Sequence, residues 1–264
     1  MMKLLRPFEV YHAYIRRCFV AFILFRVDSI ISVFSILISQ LASFVALWAI
    51  TRAVGDIGGW GFYDLMLIYS IFVIISALNQ SFLDGVWNVG WYVRSGLLDV
   101  ILIRPKPVFI QIICNRMDLG AIVLAAVGIA LLSYSIAMLG ITVYFSTVMM
   151  IALFIVCGVV ISTSLYLISN SANFWLVNGN EVSALVQLIQ EFARYPMGVF
   201  PLGIQMVFTF ILPFAFTTFY PASILSGRMP THAVFFILIA TAASVIAAVT
   251  VWKIGLKTYN GTGS

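Results

Sequence analysis

One long stretch without charge places the strongest constraint on this chain. From Leu119 to Asn180 the sequence contains no Asp, Glu, Lys, Arg or His. A single helix of that length would be about 90 Å long, roughly three times the thickness of the hydrocarbon core of a bilayer. We therefore expect the chain to turn back within the stretch, and Gly140 in MLGITVY is the best position for that turn. The stretch then supplies two antiparallel membrane-spanning helices.

The composition extends this interpretation to the whole chain. Of its 264 residues 63% are hydrophobic and 9% are charged, whereas a soluble domain has about 25% charged residues. The sequence predicts an all-α integral membrane protein with a single transmembrane domain. The net charge of +5 does not favour nucleic acid as a partner, because the basic residues flank apolar segments. The three cysteines show neither a CxxC motif nor metal-ligand spacing, so no disulfide, metal site or cofactor is predicted.

Apolar runs of about 20 residues predict six transmembrane (TM) helices. The fifth run is longer than a membrane requires and contains Pro213, which we expect to break the helix and to leave a re-entrant segment. The predicted spans are TM1 at 29–51, TM2 at 65–84, TM3 at 118–139, TM4 at 143–168, TM5 at 199–220 with a possible extension to 225, and TM6 at 233–252.

Two further segments have helical periodicity but not the character of a span. Residues 7–26 are typical of an interfacial helix, with Arg16 and Arg17 on its polar face and Arg26 at the mouth of TM1. An ordinary cytosolic tail is the alternative. Residues 180–195 form an amphipathic helix, which is either a second interfacial helix or the cytosolic end of TM5.

The distribution of charge predicts the orientation of the chain. Asn180 is the expected N-cap of the second amphipathic helix, and Arg194 falls at its cytosolic end. With the N-terminus inside, every Lys and Arg lies on the cytosolic side except Arg52 and Arg228. Both termini are therefore expected in the cytoplasm. The interiors of the six predicted spans contain no ionisable residue, which argues against a proton- or ion-coupled carrier.

The stretch from Val86 to Pro107, VWNVGWYVRSGLLDVILIRPKP, lies on the predicted cytosolic side between TM2 and TM3. The sequence has no P-loop motif and no recognisable catalytic motif, so we expect neither an ATPase nor another enzyme. A transporter without its own energy source needs an external motor. The apolar residues of this cytosolic stretch favour a contact with such a partner, and a plain basic loop is the alternative.

The same stretch carries a family resemblance. VRSGLLDVILIRPKP resembles the R-x-G-x-L-D-x-x-L-x-R-P signature of ABC-2 type transporter permeases, and only Ile103 departs from the usual residue. FRVDS before TM1, GGW before TM2, the FW pair after TM4 and ILPFAFTTFYPASIL also agree with the family. By position, the residues that the resemblance assigns to ATPase coupling are Arg94, Gly96, Leu98, Asp99, Arg104 and Pro105.

The resemblance implies an export-type permease of the bacterial cytoplasmic (inner) membrane. It implies six transmembrane helices, an N-terminal interfacial helix, a cytosolic coupling helix within 86–107 and a re-entrant extracellular segment between TM5 and TM6. Its implied partners are two copies of a separate ABC ATPase, a second permease that is identical or homologous, and membrane lipid. The alternative function is a motor-free facilitator or a scaffold for membrane assembly, which would purify without an ATPase.

Overall fold

The structure is a computed structural model that describes residues 26–104, 107–115, 118, 120–176 and 179–259. Residues 7–25 of the predicted interfacial helix, with Arg16 and Arg17, lie outside the described residues. Pro105 of the predicted coupling motif also lies outside them. At Arg26 the backbone is described, and it begins the first helix.

The described residues are helical and contain no β-strand, although an isolated bridge joins Ile57 to Trp60. This confirms the predicted all-α class. Two 3₁₀ helices, Asp84–Asn88 and Glu191–Arg194, continue the helices that precede them. The α-helices in chain order are α1 (Arg26–Val54), α2 (Phe62–Leu83), α3 (Val89–Arg94), α4 (Leu97–Leu102), α5 (Val108–Asn115), α6 (Ala121–Met138), α7 (Phe145–Ser171), α8 (Gly179–Gln190), α9 (Leu202–Met206), α10 (Phe219–Leu225) and α11 (Val234–Thr258).

Five of these helices are long and apolar enough to cross a membrane: α1, α2, α6, α7 and α11. They coincide with the predicted TM1, TM2, TM3, TM4 and TM6. The tight turn between α6 and α7 contains Gly140, whose φ of +65° is the left-handed conformation that glycine accepts most readily. The described part of the chain therefore has five candidate spans, or six if a bent segment at 202–225 counts as one.

Helix α2 forms the centre of the bundle. Of its 18 most apolar consecutive residues, 78% are buried. The corresponding share is 6% for α1 and 17% for α11. The sequence LMLIYSIFVIISAL is apolar on every face, which is the pattern of a helix surrounded by others. Helices α6 and α7 both pack against it. The outer helices α1 and α11 leave most of their apolar surface uncovered.

Small and polar residues fix the contacts of α2 with its neighbours. Gly128 of α6 lies so close that a Cβ atom there would be 2.7 Å from Ile74. Asn79 accepts a hydrogen bond from the Thr163 hydroxyl of α7 (2.6 Å), and the Tyr69 hydroxyl donates to Gln40 of α1 (2.7 Å). Close approach and interhelical hydrogen bonds are the usual sources of specificity where the surroundings are apolar.

Residues 179–200 run along the length of α2. Asn180 lies beside Arg94, beyond the C-terminal end of α2. Arg194 stacks over Phe72, midway along α2, with 5.1 Å between its guanidinium carbon and the ring centroid. Gly198 lies next to Gly58 in the loop that precedes α2. The helix Gly179–Gln190 and its 3₁₀ extension Glu191–Arg194 cover almost the whole range predicted for an amphipathic helix, 180–195.

Residues 202–225 form a sharply bent segment, called the hairpin below, instead of a straight helix. The direction of the chain changes by 78° between Ile211 and Phe214, across Leu212 and Pro213. Proline lacks an amide N–H and clashes with the preceding turn, so a helix cannot continue through it. The Thr218 hydroxyl donates to the Ala193 carbonyl near the middle of the bundle. Gly198, just before this segment, and Phe219, in its second half, both lie at the end of the bundle that carries Gly58 and Trp60.

Candidate functional site

Three short helices follow α2 and build one end of the bundle. Gly85 brings the 3₁₀ helix against α5 so closely that a Cβ atom there would overlap the Ile112 carbonyl. Gly96 has a φ of +69°, which lets the chain leave α3 and begin α4 in a new direction. The Gln111 side chain donates to the Ile101 carbonyl at 3.3 Å and holds α5 against α4. The predicted coupling stretch is therefore a set of packed short helices.

Helix α4 has a buried side and an exposed apolar side. Leu98 is fully buried and Ile101 is 6% exposed, so these two residues attach α4 to the bundle. Within the described part of the chain neither Asp99 nor Arg104 forms an ion pair. An exposed apolar surface flanked by uncompensated charges is typical of a protein contact. The exposed apolar residues of α4 and its C-cap are Leu97, Val100, Leu102 and Ile103, the last 82% exposed.

Arg94 connects these short helices to α8. The Asn180 carboxamide, with its oxygen turned toward Arg94, accepts hydrogen bonds from the guanidinium. The nitrogen of the same carboxamide lies 3.0 Å from the Asn173 side-chain oxygen and donates to it. A Cβ atom at Gly90 would overlap both asparagine side chains, so α3 fits here only with glycine. We call Gly90, Arg94, Asn173 and Asn180 the junction.

Arg194 is the charged residue whose position differs most from the sequence prediction. It was expected at the cytosolic end of a surface helix, but it lies beside Phe72 in the middle of α2. It forms an ion pair with Glu191, and its Nε donates to the Glu191 carbonyl at 2.9 Å. The interiors of the six predicted spans contain no Asp, Glu, Lys, Arg or His, but Glu191 and Arg194, which lie outside them, pack beside the middle of α2.

A polar cavity of about 630 Å³ lies between α2, the Asp84–Asn88 helix, α7 and α8. It is on the junction side of the bundle. At its wall the Trp87 ring contacts the Tyr166 ring, with 3.9 Å between the ring centroids. Serine, asparagine, glutamine and carboxylate side chains form most of the lining. The lining residues are Ser76, Asn79, Gln80, Asp84, Trp87, Asn88, Tyr166, Ala184, Gln187, Leu188, Gln190 and Glu191.

The opposite end of the bundle is held by Arg228. Its guanidinium forms an ion pair with Asp64 (2.8 Å) and donates to the Gly59 carbonyl (3.0 Å). It also lies over the Trp60 ring, 4.4 Å from the centroid, while that ring packs against Phe219 of the hairpin. We call Asp64, Arg228 and Trp60 the latch. It joins the start of α2 to the end of the hairpin.

The structure places the predicted site residues in different settings. Arg94 belongs to the junction, Gly96 is at the turn, and Leu98 is buried. Asp99 is partly exposed on α4, and Arg104 is exposed just beyond the end of that helix. The sequence analysis considered Asn180 only as an N-cap, and it missed Asn173 and the latch. Arg228 could have been singled out from the sequence, since it is one of only two basic residues on its predicted side of the membrane.

The family model for the ABC-2 family transporter proteins matches residues 37–263 of the chain. A search of the curated proteins and one of the solved structures returned no match. The matched region includes the described helices from the middle of α1 to the end of α11, the coupling stretch and the hairpin. Members of this family are membrane components that do not themselves hydrolyse ATP, and the family implies partnership with an ABC ATPase subunit. The chain therefore belongs to the ABC-2 transporter family: it is a multi-pass integral membrane protein and a permease component of an ABC transporter.

Proposed function

We propose that this chain is one half of an exporter in the bacterial inner membrane, with both termini in the cytoplasm. An ABC ATPase docks on the outer side of α4, and a second copy of the permease, or a homologue, completes the transport path. The observation that carries this proposal is the exposed apolar side of α4, which is accompanied by Asp99 and Arg104, neither of them ion-paired among the described residues.

The junction offers a route from the ATPase to the membrane interior. A movement of α4 is passed to α3 through the short turn at Gly96, and Arg94 is hydrogen-bonded to Asn180 at the start of α8. Helix α8 and its extension then lead to Glu191 and Arg194. A displacement of α4 by the ATPase is thus expected to move the wall of the polar cavity.

The positions of the cavity and the latch favour export. The cavity lies on the junction side, which the positive-inside rule places in the cytosol. The other side is covered by the hairpin and fastened by the Asp64–Arg228 ion pair. A substrate would therefore enter from the cytosolic half while the outer half is closed. ATP-driven movement would then open the path outward.

A second permease is needed to cover polar groups at the depth of the bilayer. Gln187 and Glu191 are exposed on α8 beside the cavity, and polar side chains there are unfavourable in contact with lipid. On the same exposed side, Leu188 is 62% and Leu185 is 55% exposed. A protein partner along α8 satisfies both the polar and the apolar groups.

The docking of the ATPase is tested by reversing charge on α4. We expect the wild-type chain to co-purify in mild detergent with an ABC ATPase, in a complex whose mass contains two permeases and two ATPases. Asp99→Lys combined with Arg104→Glu should lower the recovered ATPase at least tenfold, because both charges then repel groups that the wild type attracts.

The matched control is Asp56→Lys combined with Arg52→Glu, which makes the same exchange at the latch end, in the last turn of α1 and in the loop that follows it. It should leave the recovery of the ATPase unchanged. A chain that purifies without an ATPase would instead support a motor-free facilitator or scaffold. Equal recovery from both double variants would show that α4 is not the docking surface.

A further inference from the structure

A second cavity lies between three membrane-spanning helices, α1, α2 and α6. Its volume is about 390 Å³. The residues that line it on α1 and α6 belong to the middle of those helices, so the cavity lies near the middle of the bilayer. The described residues that line it are Leu37, Gln40, Leu41, Phe44, Tyr69, Val73, Val127 and Leu131.

The lining of this second cavity is apolar. Its two polar side chains are Gln40 and Tyr69, and the Tyr69 hydroxyl is directed to the Gln40 side-chain oxygen (2.7 Å) and to the Gln40 carbonyl (2.9 Å). Within the described part of the chain, no charged residue contributes to the lining. Apolar cavities stay dry and take up apolar molecules. The cavity therefore suits a hydrocarbon.

The mouth of this cavity is at α1 and faces the lipid. Leu41 lines the cavity and is 62% exposed, whereas Tyr69 and Val73 on α2 form its buried inner wall. Beside Leu41, the side chains of Ile38 and Val45 are also exposed on α1. Exposed apolar side chains at the depth of a membrane-spanning helix are in contact with acyl chains, which are as apolar as leucine. The mouth is therefore continuous with a surface that faces acyl chains.

The size of the cavity decides between an acyl chain and a helix of a partner protein. An α-helix with its side chains is about 10 Å across and rises about 5.4 Å per turn, so a single turn occupies about 400 Å³. The whole cavity has about that volume, and a partner helix of several turns cannot enter it. An acyl chain is much thinner than a helix, and the volume is within the range of pockets that hold small organic molecules.

We propose that this cavity binds one acyl chain of a bilayer phospholipid. The chain enters past Leu41 and packs against Phe44 of α1 and against Val127 and Leu131 of α6. It fills the space beside the Gln40–Tyr69 hydrogen bond, which joins α1 to α2 at this depth. The proposal goes beyond the exporter function, because it depends only on the position of the cavity within the membrane-spanning helices.

The test uses phosphatidylcholine that carries a photoreactive diazirine at the end of one acyl chain. The permease, with any subunit that co-purifies, is placed in phosphatidylcholine nanodiscs that contain this probe, and labelled residues are located by mass spectrometry after illumination. We expect labelling of Val127 and Leu131 on the α6 wall. Leu41→Trp should lower that labelling about fivefold, because the indole ring fills the mouth. Labelling of Ile129, which is 55% exposed on α6 outside the lining, should not change.

Ile38→Trp is the matched control, since Ile38 is as exposed as Leu41 on the same helix but does not line the cavity. It should leave the labelling of the α6 wall unchanged. Val127→Phe fills the cavity from the α6 side and should lower the labelling of Leu131. Its control is Val123→Phe, an exchange of the same size at an exposed position of α6 outside the lining. Gel filtration checks that each variant is folded.

Two results would overturn the acyl-chain site. In the first, the wild-type α6 wall is not labelled while Ile129 is, as it would be if another part of the protein filled the cavity. In the second, Leu41→Trp and Ile38→Trp are labelled equally at Val127 and Leu131. The labelling is measured on the permease itself, so its outcome does not depend on whether an ATPase is recovered, and the two proposals can fail separately.

Discussion

The two ends of the helical bundle are held together by different kinds of contact. At the junction, Arg94 meets a neutral carboxamide, Asn180, and the nearby charges of Asp99 and Arg104 are left without ion pairs in the described structure. At the latch, Arg228 combines an ion pair, a backbone hydrogen bond and an aromatic ring. A guanidinium–amide contact is weaker than a partly buried ion pair with additional hydrogen bonds. The difference indicates one end suited to movement and another suited to staying closed.

The tight packing at the junction predicts the largest effect. Gly90→Val should lower the free energy of unfolding by about 3 kcal/mol, because its side chain overlaps Asn173 and Asn180. The measurement is the thermal unfolding of the detergent-solubilised chain, followed by gel filtration. Gly203→Val is the control, since no atom lies within 4 Å of a Cβ atom at that position. Equal losses at both positions would contradict the predicted close packing of α3.

The latch should show an intermediate effect. Arg228→Ala leaves Asp64, which is 8% exposed, without its ion pair, and we expect a loss of about 2 kcal/mol in unfolding free energy. This loss is smaller than the loss expected when a fully buried ion pair is broken, because the Arg228 side chain is 39% exposed. ATPase recovery should be unchanged. Thermal unfolding and ATPase recovery are measured on the same preparation.

Arg52→Ala is the control for the latch. Arg52 is at the same end of the bundle, 5.7 Å from the Trp48 ring, and makes no ion pair among the described residues. Its removal should change stability by less than about 0.5 kcal/mol. If Arg228→Ala is equally mild, the latch does not fasten the hairpin and the contrast between the two ends disappears.

The hydrogen bond at the junction should have the smallest effect on stability but a clear effect on coupling. Asn180→Ala removes the acceptor of Arg94 and should cost about 1 kcal/mol, while the ATPase is still recovered. The rate of ATP hydrolysis by the recovered complex should then fall, because α4 is less firmly connected to α8. Asn180→Asp keeps an acceptor for the guanidinium and should restore the rate. A rate that is no higher in the aspartate variant than in the alanine variant would exclude this role for Asn180.

The elements that could be predicted from the sequence are those whose environment is uniform along the chain. TM2, TM3 and TM4 follow from long uncharged runs, because lipid and neighbouring helices both require apolar side chains there. Pro213 predicted an interruption because its effect on a helix is local. The left-handed Gly140 likewise lies at the predicted turn.

Residues 179–200 could not be predicted in the same way. Their polar residues are typical of a helix at a membrane surface, and Arg194 counted as a cytosolic charge under the positive-inside rule. Arg194 is accommodated in the middle of the bundle because Glu191 pairs with it and Phe72 covers it. Glu191 is three residues from Arg194, so this pairing could be seen in the sequence. Phe72 is on another helix, so its contact with Arg194 could not.

By itself, the sequence determined that this chain is a helical membrane protein and where its long apolar helices lie. These properties depend on hydrophobicity and on local backbone preference, which each segment carries alone. Only the tertiary structure decided that Arg94 meets Asn180, that Arg228 meets Asp64 and that Gln190 lines a polar cavity. Such contacts join residues far apart in the chain, and their geometry is set by how α2 packs against its neighbours.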